Sequence, residues 1–228
     1  MVGQTLIAFQ LCVVPGIVSG QVKKDQSAVS ARRPITVRAD GASDPSFAEF
    51  RKELLAAAQA GNRQALMKMM SPSVSVSFES AKPESALDDF GFVNGQPWRA
   101  LVNALALGSA RVDETFFAPF PYALFIGMEN AAIVGRNVRM RAEPRADARV
   151  VNVLSLEVVT LDRTHDVDAQ LFYRADNPEG PAAWARVITH DQRTGYVYGR
   201  FVWSPDNLRF SFAKVEGEWK LTGWAIGD

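Results

Sequence analysis

The sequence predicts an α+β fold, in which a small unit of helices, one strand and a C-terminal β-hairpin carries an inserted β-barrel. Three observations predict it. Apolar residues recur at helical spacing in two stretches between residues 46 and 107. From residue 132 the chain becomes a series of short apolar strands separated by turns. The last twenty residues alternate as two strands around Glu216-Gly217, which predicts a hairpin that completes the first unit.

Composition and charge exclude some classes of protein. The chain has 228 residues, 47% of them apolar and 22% charged, which are ordinary values for a globular protein. It carries 25 basic and 25 acidic residues and a formal net charge of zero. A nucleic-acid-binding protein usually has a basic excess, and recruitment to an anionic membrane by charge alone needs one too. We therefore expect neither kind of partner.

The first twenty residues contain no charged side chain. The apolar run from Thr5 to Val18 is too short to span a bilayer, and it ends in small residues, as a secretory signal does, although no Lys or Arg precedes it. We predict a signal peptide over 1–20, a polar linker over 21–45 and an exported protein, periplasmic or extracellular, with no membrane span after cleavage. A buried N-terminal strand or helix is the alternative. Cleavage would remove Cys12, the single cysteine, and with it any disulfide or thiolate metal site.

Residues 46–131 are predicted to form the first part of the α+β unit. Ser46 and Glu49 have the spacing of a capping box, which predicts that a helix begins at Ser46. The apolar residues that follow recur at helical spacing and form one face, made of Phe47, Phe50, Leu54 and Ala57. Gly61 is expected to end this helix, and residues 63–70 predict a second, short one.

A strand and a third helix are predicted to follow. Residues 73–78 alternate strictly, which places Val74, Val76 and Phe78 on one face of a half-buried strand. Asn94-Gly95 is a good turn pair, and Pro97 is expected to open a helix whose apolar face contains Trp98, Leu101, Val102 and Leu105. Residues 115–125 are apolar and broken by proline, and predict short extended pieces that cover a core.

Residues 132–203 carry a resemblance to a known family. The residues that carry it are Asn137-Val138-Arg139, the turn at Pro144, the apolar run from Val150 to Leu161, Trp184 with Val187, Gly195-Tyr196-Val197 and Phe201. Together they are similar to the bacterial SH3-like domain of exported cell-envelope proteins, which implies a small barrel. Ser155-Leu156 departs from the usual glycine-bearing turn, and residues 162–183 form a longer loop that would cover or rebuild a groove.

The flanks of the barrel resemble those of a group of bacterial SH3-domain proteins. The matching residues are Pro121-Tyr122, Arg209 to Phe212, Gly217 to Trp219 and Gly227-Asp228. The resemblance implies that residues 204–228 form a C-terminal hairpin that returns to the α+β unit.

Alternation predicts which aromatic side chains of the barrel face away from its core. If Val187 is buried, strand pleating directs Trp184 outward, and Val197 points opposite to Tyr196 and Tyr198. With Phe201 beside them, these rings would form a ligand-binding surface, and the resemblance implies a groove for extended ligands. The alternatives are that the rings belong to the core or pack against the second unit.

Arg139 and Arg141 share one face of the first barrel strand. Guanidinium groups bind carboxylates in a forked geometry, so both are candidate ligand-binding residues. Solvation, or pairing with nearby acids, is the alternative.

We therefore expect an exported, non-catalytic binding protein whose ligand is a peptidoglycan peptide or an extended segment of an envelope protein. One alternative is a glycan hydrolase that uses the carboxylates of Glu79, Asp88, Asp89 and Glu114. Another is a purely structural assembly partner. His165 and His190 lack metal-ligand spacing, so no metal or cofactor is predicted. The sequence does not indicate an oligomeric state.

Overall fold

The computed structural model describes residues 31–37, 43–89, 99–164, 171–174 and 178–227, and these contain five α-helices and two β-sheets. The α+β fold class is confirmed. The helices are α1 Pro45–Gln59, α2 Arg63–Met69, α3 Pro83–Asp89, α4 Arg99–Leu107 and α5 Leu171–Arg174. No helix among the described residues is both long and apolar enough to cross a membrane.

The first sheet has six strands and belongs to the two ends of the chain. Its strands are β2 Met70–Val76, β3 Glu79–Ala81, β4 Ala110–Val112, β5 Thr115–Ala118, β13 Arg209–Val215 and β14 Glu218–Ala225. They lie in the order β3-β2-β14-β13-β5-β4, and only β2 and β14 run parallel. α1 and α4 contribute to the core on one face, where Phe47 stacks on Phe116 at 3.9 Å between ring centroids and meets the edge of Trp219.

The second sheet is antiparallel and has eight strands. They are β1 Arg33–Pro34, β6 Asn130–Ile133, β7 Val138–Arg141, β8 Val150–Leu154, β9 Glu157–Leu161, β10 Trp184–Ile188, β11 Thr194–Tyr198 and β12 Val202–Trp203. Seven lie in the order β12-β6-β9-β10-β11-β7-β8, and β1 pairs with β9. Its own core contains Met140, Val187 and Val197 among others.

Seven of the eight strands of the second sheet, β6 to β12, are an insertion into the first sheet. β5 and β13 pair directly, with Phe117 opposite Ser211, yet strands β6 to β12 lie between them in the sequence. A separate apolar cluster joins the two sheets and includes Phe120 and Trp203. The inserted strands are therefore attached to the six-stranded sheet by buried contacts as well as by the chain.

A short strand lies within the predicted linker. Arg33 pairs with Val158 and Pro34 with Glu157, beside the part of β9 that β10 does not reach. The buried Ile35 donates its backbone N–H to the Leu156 carbonyl at 2.7 Å. A strand of two residues is too short to show a periodicity, so this pairing was not predictable from the sequence.

The predicted capping box of α1 is wrong. Asp44 is the N-cap, and its carboxylate accepts the Phe47 N–H at 3.0 Å. Ser46 lies inside the first turn and donates its hydroxyl to the same carboxylate at 2.6 Å. The helix therefore begins at Pro45, where a missing N–H costs no hydrogen bond. α2 agrees with its prediction, with Asn62 as its N-cap.

The predicted face of β2 is wrong at Phe78. Val74 is buried, but Phe78 is 71% exposed and lies in the turn between β2 and β3. The strand ends at Val76 because Ser77 and Phe78 both have positive φ, at 45° and 76°. The turn Glu216-Gly217 agrees with the predicted C-terminal hairpin, with φ of 52° and 88°.

Several predictions lie outside the described residues. They are the signal peptide over 1–20 with Cys12, most of the linker, the turn Asn94-Gly95, the helix start at Pro97-Trp98, His165 and Asp228.

Candidate functional site

A groove of about 360 Å³ lies on the inserted sheet and contains both kinds of predicted site residue. We call it the arginine–aromatic groove. One set of lining side chains comes from β7 and the loop before it: Arg136, Arg139 and Arg141. The other set comes from β10, β11 and the 3₁₀ turn after β11: Trp184, Tyr198 and Phe201.

Strand register brings the aromatic rings together. Trp184 lies directly opposite Tyr198 across β10 and β11, and cross-strand partners share a face of the sheet. Their ring centroids are 5.7 Å apart. Phe201, which is 40% exposed, meets Tyr198 edge-on at 6.3 Å. The three rings therefore form one continuous aromatic wall.

Trp184 lies deeper than the alternation predicts. It lines the groove, but only 8% of it is exposed, and its indole N–H donates to the Pro178 carbonyl at 2.7 Å. Its polar edge is thus already satisfied within the chain. Trp184 offers the groove part of a ring surface, while Tyr198 and Phe201 provide the accessible rings.

The long loop before β10 contributes to the groove, since Pro178 also lines it. The described part of this loop is anchored by buried Leu171 and Phe172. Leu171 packs against Gly199, where a Cβ atom would lie 2.3 Å from the leucine Cγ. Tyr173 donates its hydroxyl to the Leu208 carbonyl at 2.6 Å, and burial raises the pKa of this phenol, which keeps it a donor.

The three lining arginines, from β7 and the loop before it, make one side of the groove cationic. Arg136 and Arg139 are exposed and make no ion pair or side-chain hydrogen bond in the described part of the chain. Arg141 donates to the Ala148 carbonyl at 2.6 Å. Among the described residues, no Asp or Glu lines the groove. A chain of zero net charge therefore concentrates three guanidinium groups at one site.

Tyr196 borders the groove but does not line it. It lies opposite Arg186 on β10 and opposite the groove-lining Arg141 on β7, so the three form a row at the border of the groove. Arg186 is paired with Asp162, which neutralises that end of the row. Tyr196 is not among the groove-lining residues.

Five of the six predicted site residues thus line one groove. Sequence reasoning missed Arg136 and Pro178 as lining residues. Both lie in loops, where alternation gives no direction to a side chain. The basic spacing of Arg136, Arg139 and Arg141 was a signal for the first of them, whereas nothing in the sequence marked Pro178.

The structure separates two of the candidate catalytic carboxylates and pairs two of them with arginines. Glu79 lies on β3 and Glu114 follows β4, and these strands are opposite edges of the six-stranded sheet. Asp88 is paired with Arg63 at 2.7 Å, and Glu114 with Arg111. The side chain of Asp89 lies outside what the structure describes. Within the described ranges, no group of three or more His, Cys, Asp or Glu residues is arranged to hold a metal ion.

Comparisons of the chain with protein-family models, curated proteins and solved structures found no match.

Proposed function

We propose that this is an exported, non-catalytic binding protein whose arginine–aromatic groove recognises an extended, anionic ligand of the cell envelope. The ligand is a peptidoglycan peptide or an extended segment of an envelope protein. The observation that carries the proposal is the placing of three arginines and three aromatic rings around one groove that no described acidic residue lines.

The chemistry of the aromatic wall and of the arginines that line the groove supports this class of ligand. Rings held by strand register lose little entropy when they bind, and they offer apolar contact to the backbone and stems of an extended chain. Exposed guanidinium groups bind carboxylates through paired hydrogen bonds. Peptidoglycan stem peptides carry free carboxylates, and so do acidic protein segments. The resemblance to bacterial SH3-like domains and the predicted signal peptide favour the same compartment.

Binding of purified cell wall and of soluble muropeptides tests the proposal. We expect the protein to cosediment with cell wall and to bind acidic muropeptides in a calorimetric titration. Tyr198→Ala and Phe201→Ala should each weaken binding about tenfold, because each removes a ring from the accessible wall. Tyr196→Ala is the matched control, since Tyr196 belongs to the same strand as Tyr198 but lies outside the groove.

Three results would contradict the proposal. The first is the absence of binding to both materials, and the second is an equal effect of Tyr196→Ala and Tyr198→Ala. The third is release of soluble muropeptides from cell wall, which would instead support the hydrolase alternative.

A further inference from the structure

A second cleft lies on the six-stranded sheet, on the face turned away from the core that contains Phe47 and Phe116. Strand register builds its floor as one row across four neighbouring strands. Ser75 on β2 lies opposite Gly223 on β14, Gly223 lies opposite Ser211 on β13, and Ser211 lies opposite Phe117 on β5. Two serines and one ring thus share a face around a residue without a side chain. We call this feature the sheet cleft, and its volume is about 160 Å³.

Gly223 keeps the floor of the sheet cleft open. A Cβ atom at this position would lie 2.5 Å from the Ser75 carbonyl oxygen, so no side chain fits there. The Ser211 hydroxyl donates to the Gly223 carbonyl at 3.3 Å and contacts the Thr222 hydroxyl at 3.1 Å, which leaves it able to accept one further hydrogen bond. The floor therefore presents hydroxyl groups on either side of a gap.

Aromatic rings form the walls of the sheet cleft. Phe117 and Tyr122 lie with their ring centroids 4.6 Å apart on one side. Phe78 stands on the other side, at the tip of the β2–β3 turn. Its backbone is left-handed, which is unfavourable for a bulky residue, and most of its ring is in solvent. An exposed ring in an unfavourable backbone conformation is a feature that often accompanies function.

The cleft offers no available charge. Among the described residues, Arg209 is the one charged side chain that lines it. This guanidinium is mostly buried, lies 5.0 Å over the Tyr122 ring and donates to the Gly227 carbonyl. A carboxylate or phosphate would therefore find no exposed cation, in contrast to the arginine–aromatic groove.

We propose that the sheet cleft is a second binding site and that its ligand is a neutral saccharide ring. A pyranose has an apolar C–H face, which stacks on aromatic rings, and hydroxyl groups at its edge, which need polar partners. A purely apolar side chain would cover the exposed Ser75 hydroxyl and leave it without a partner. The combination of rings, hydroxyls and no free charge selects a polyol with an apolar face. This site is separate from the arginine–aromatic groove and does not depend on the function proposed for it.

Titration of the protein with short neutral sugars tests this site. The probes are diacetylchitobiose and cellobiose, and their binding is followed by saturation-transfer NMR. We expect millimolar binding of at least one probe, and at least a fivefold weaker affinity for Phe78→Ala. Phe201→Ala is the control, since Phe201 is also an exposed phenylalanine but lines the arginine–aromatic groove and not the sheet cleft, and its effect should be less than twofold.

Three outcomes overturn the assignment. They are no saturation transfer to either sugar, equal losses in Phe78→Ala and Phe201→Ala, and a protein dimer that Phe78→Ala dissociates, which would make the cleft a contact between two copies. Crossed measurements separate the two proposals. Phe78→Ala should leave muropeptide binding unchanged, and Phe201→Ala should leave sugar binding unchanged. Each proposal can therefore be contradicted independently of the other.

Discussion

Arg32 binds both carboxylate oxygens of Glu157, although the two residues are 125 positions apart in the sequence. The Arg32 Nε–Glu157 Oε2 distance is 3.1 Å and the Nη2–Oε1 distance is 2.9 Å. The Glu157 side chain is only 4% exposed, and its remaining described partner is the Ser155 N–H at 2.9 Å. A buried carboxylate at the start of β9 therefore depends on a guanidinium from the segment that leads into β1.

Arg32→Ala should lower the free energy of unfolding by about 2 kcal/mol, because it leaves a buried charge without its partner. The full cost of breaking a buried pair is larger, but the arginine side of this pair is half exposed to solvent. Urea denaturation measures the change. Arg33→Ala is the control, since Arg33 is exposed and contributes to β1 through its backbone.

The double variant Arg32→Ala with Glu157→Gln should recover part of this loss, because the unpaired charge is then absent. Equal stability of Arg32→Ala and the unmodified protein would show that the pair does not hold β1 to β9.

Trp184→Ala should lower the free energy of unfolding by about 3 kcal/mol, because it removes a large and mostly buried ring. It is therefore a poor test of ligand binding. Trp184→Phe keeps most of the ring but loses the hydrogen bond to Pro178. We expect this variant to stay folded and to show faster proteolysis within residues 178–183. Unchanged proteolysis would mean that the indole N–H does not hold the loop.

Arg136→Gln and Arg139→Gln should each weaken the binding of an acidic peptide several-fold, because each removes a group able to pair with a carboxylate. The loss should shrink at high salt, and it should disappear for a peptide whose carboxylates are amidated. Titrations at two salt concentrations measure both effects. Arg200→Gln is the control, since Arg200 is exposed next to Phe201 but does not line the groove. An equal loss in Arg200→Gln would indicate attraction to the general surface charge.

Strand alternation predicted the direction of the Trp184 and Tyr198 side chains because the period of two is fixed by the backbone itself. It placed Trp184 opposite in direction to Val187, and Tyr198 opposite to Val197, and the structure has both valines in the core of the second sheet. What alternation could not predict is depth. The burial of Trp184 depends on Pro178, and no local pattern states where that loop returns.

The start of α1 and the end of β2 were predicted wrongly because two local sequence patterns overlap at each place. Ser46 with Glu49 has the capping-box spacing, but Asp44 is an equally good cap and is followed by Pro45, which favours the first helical position. Phe78 continues the alternation of β2, but the chain turns one residue earlier. The partner of Val76 is Glu79, so the antiparallel pairing with β3 sets where the turn begins.

The Asp44 cap should make stability depend on acid pH. The Ser46 hydroxyl, followed by the Phe47 N–H, lowers the pKa of this carboxyl below its ordinary value. Its contribution to stability is therefore complete above the ordinary pKa of aspartate and is lost as the pH falls through the lower, folded-state value. Asp44→Asn keeps a capping oxygen but cannot titrate, so its acid unfolding curve should be flatter over this range. Thermal unfolding of both proteins at a series of acid pH values measures the difference, and parallel curves would contradict it.

Phe78→Gly should stabilise the fold while it abolishes sugar binding at the sheet cleft. Phe78 has φ of 76°, whereas the corresponding position of the β13–β14 turn is Gly217, with φ of 88°. Glycine adopts this conformation without a steric penalty, and little buried surface is lost because the ring is exposed. We expect a gain of about 1 kcal/mol in the free energy of unfolding, measured in urea. Phe78→Ala is the control, because it removes the ring but keeps the unfavourable backbone and should give no gain. A loss of stability in Phe78→Gly would mean that the ring stabilises the fold by packing and is not available to bind a ligand.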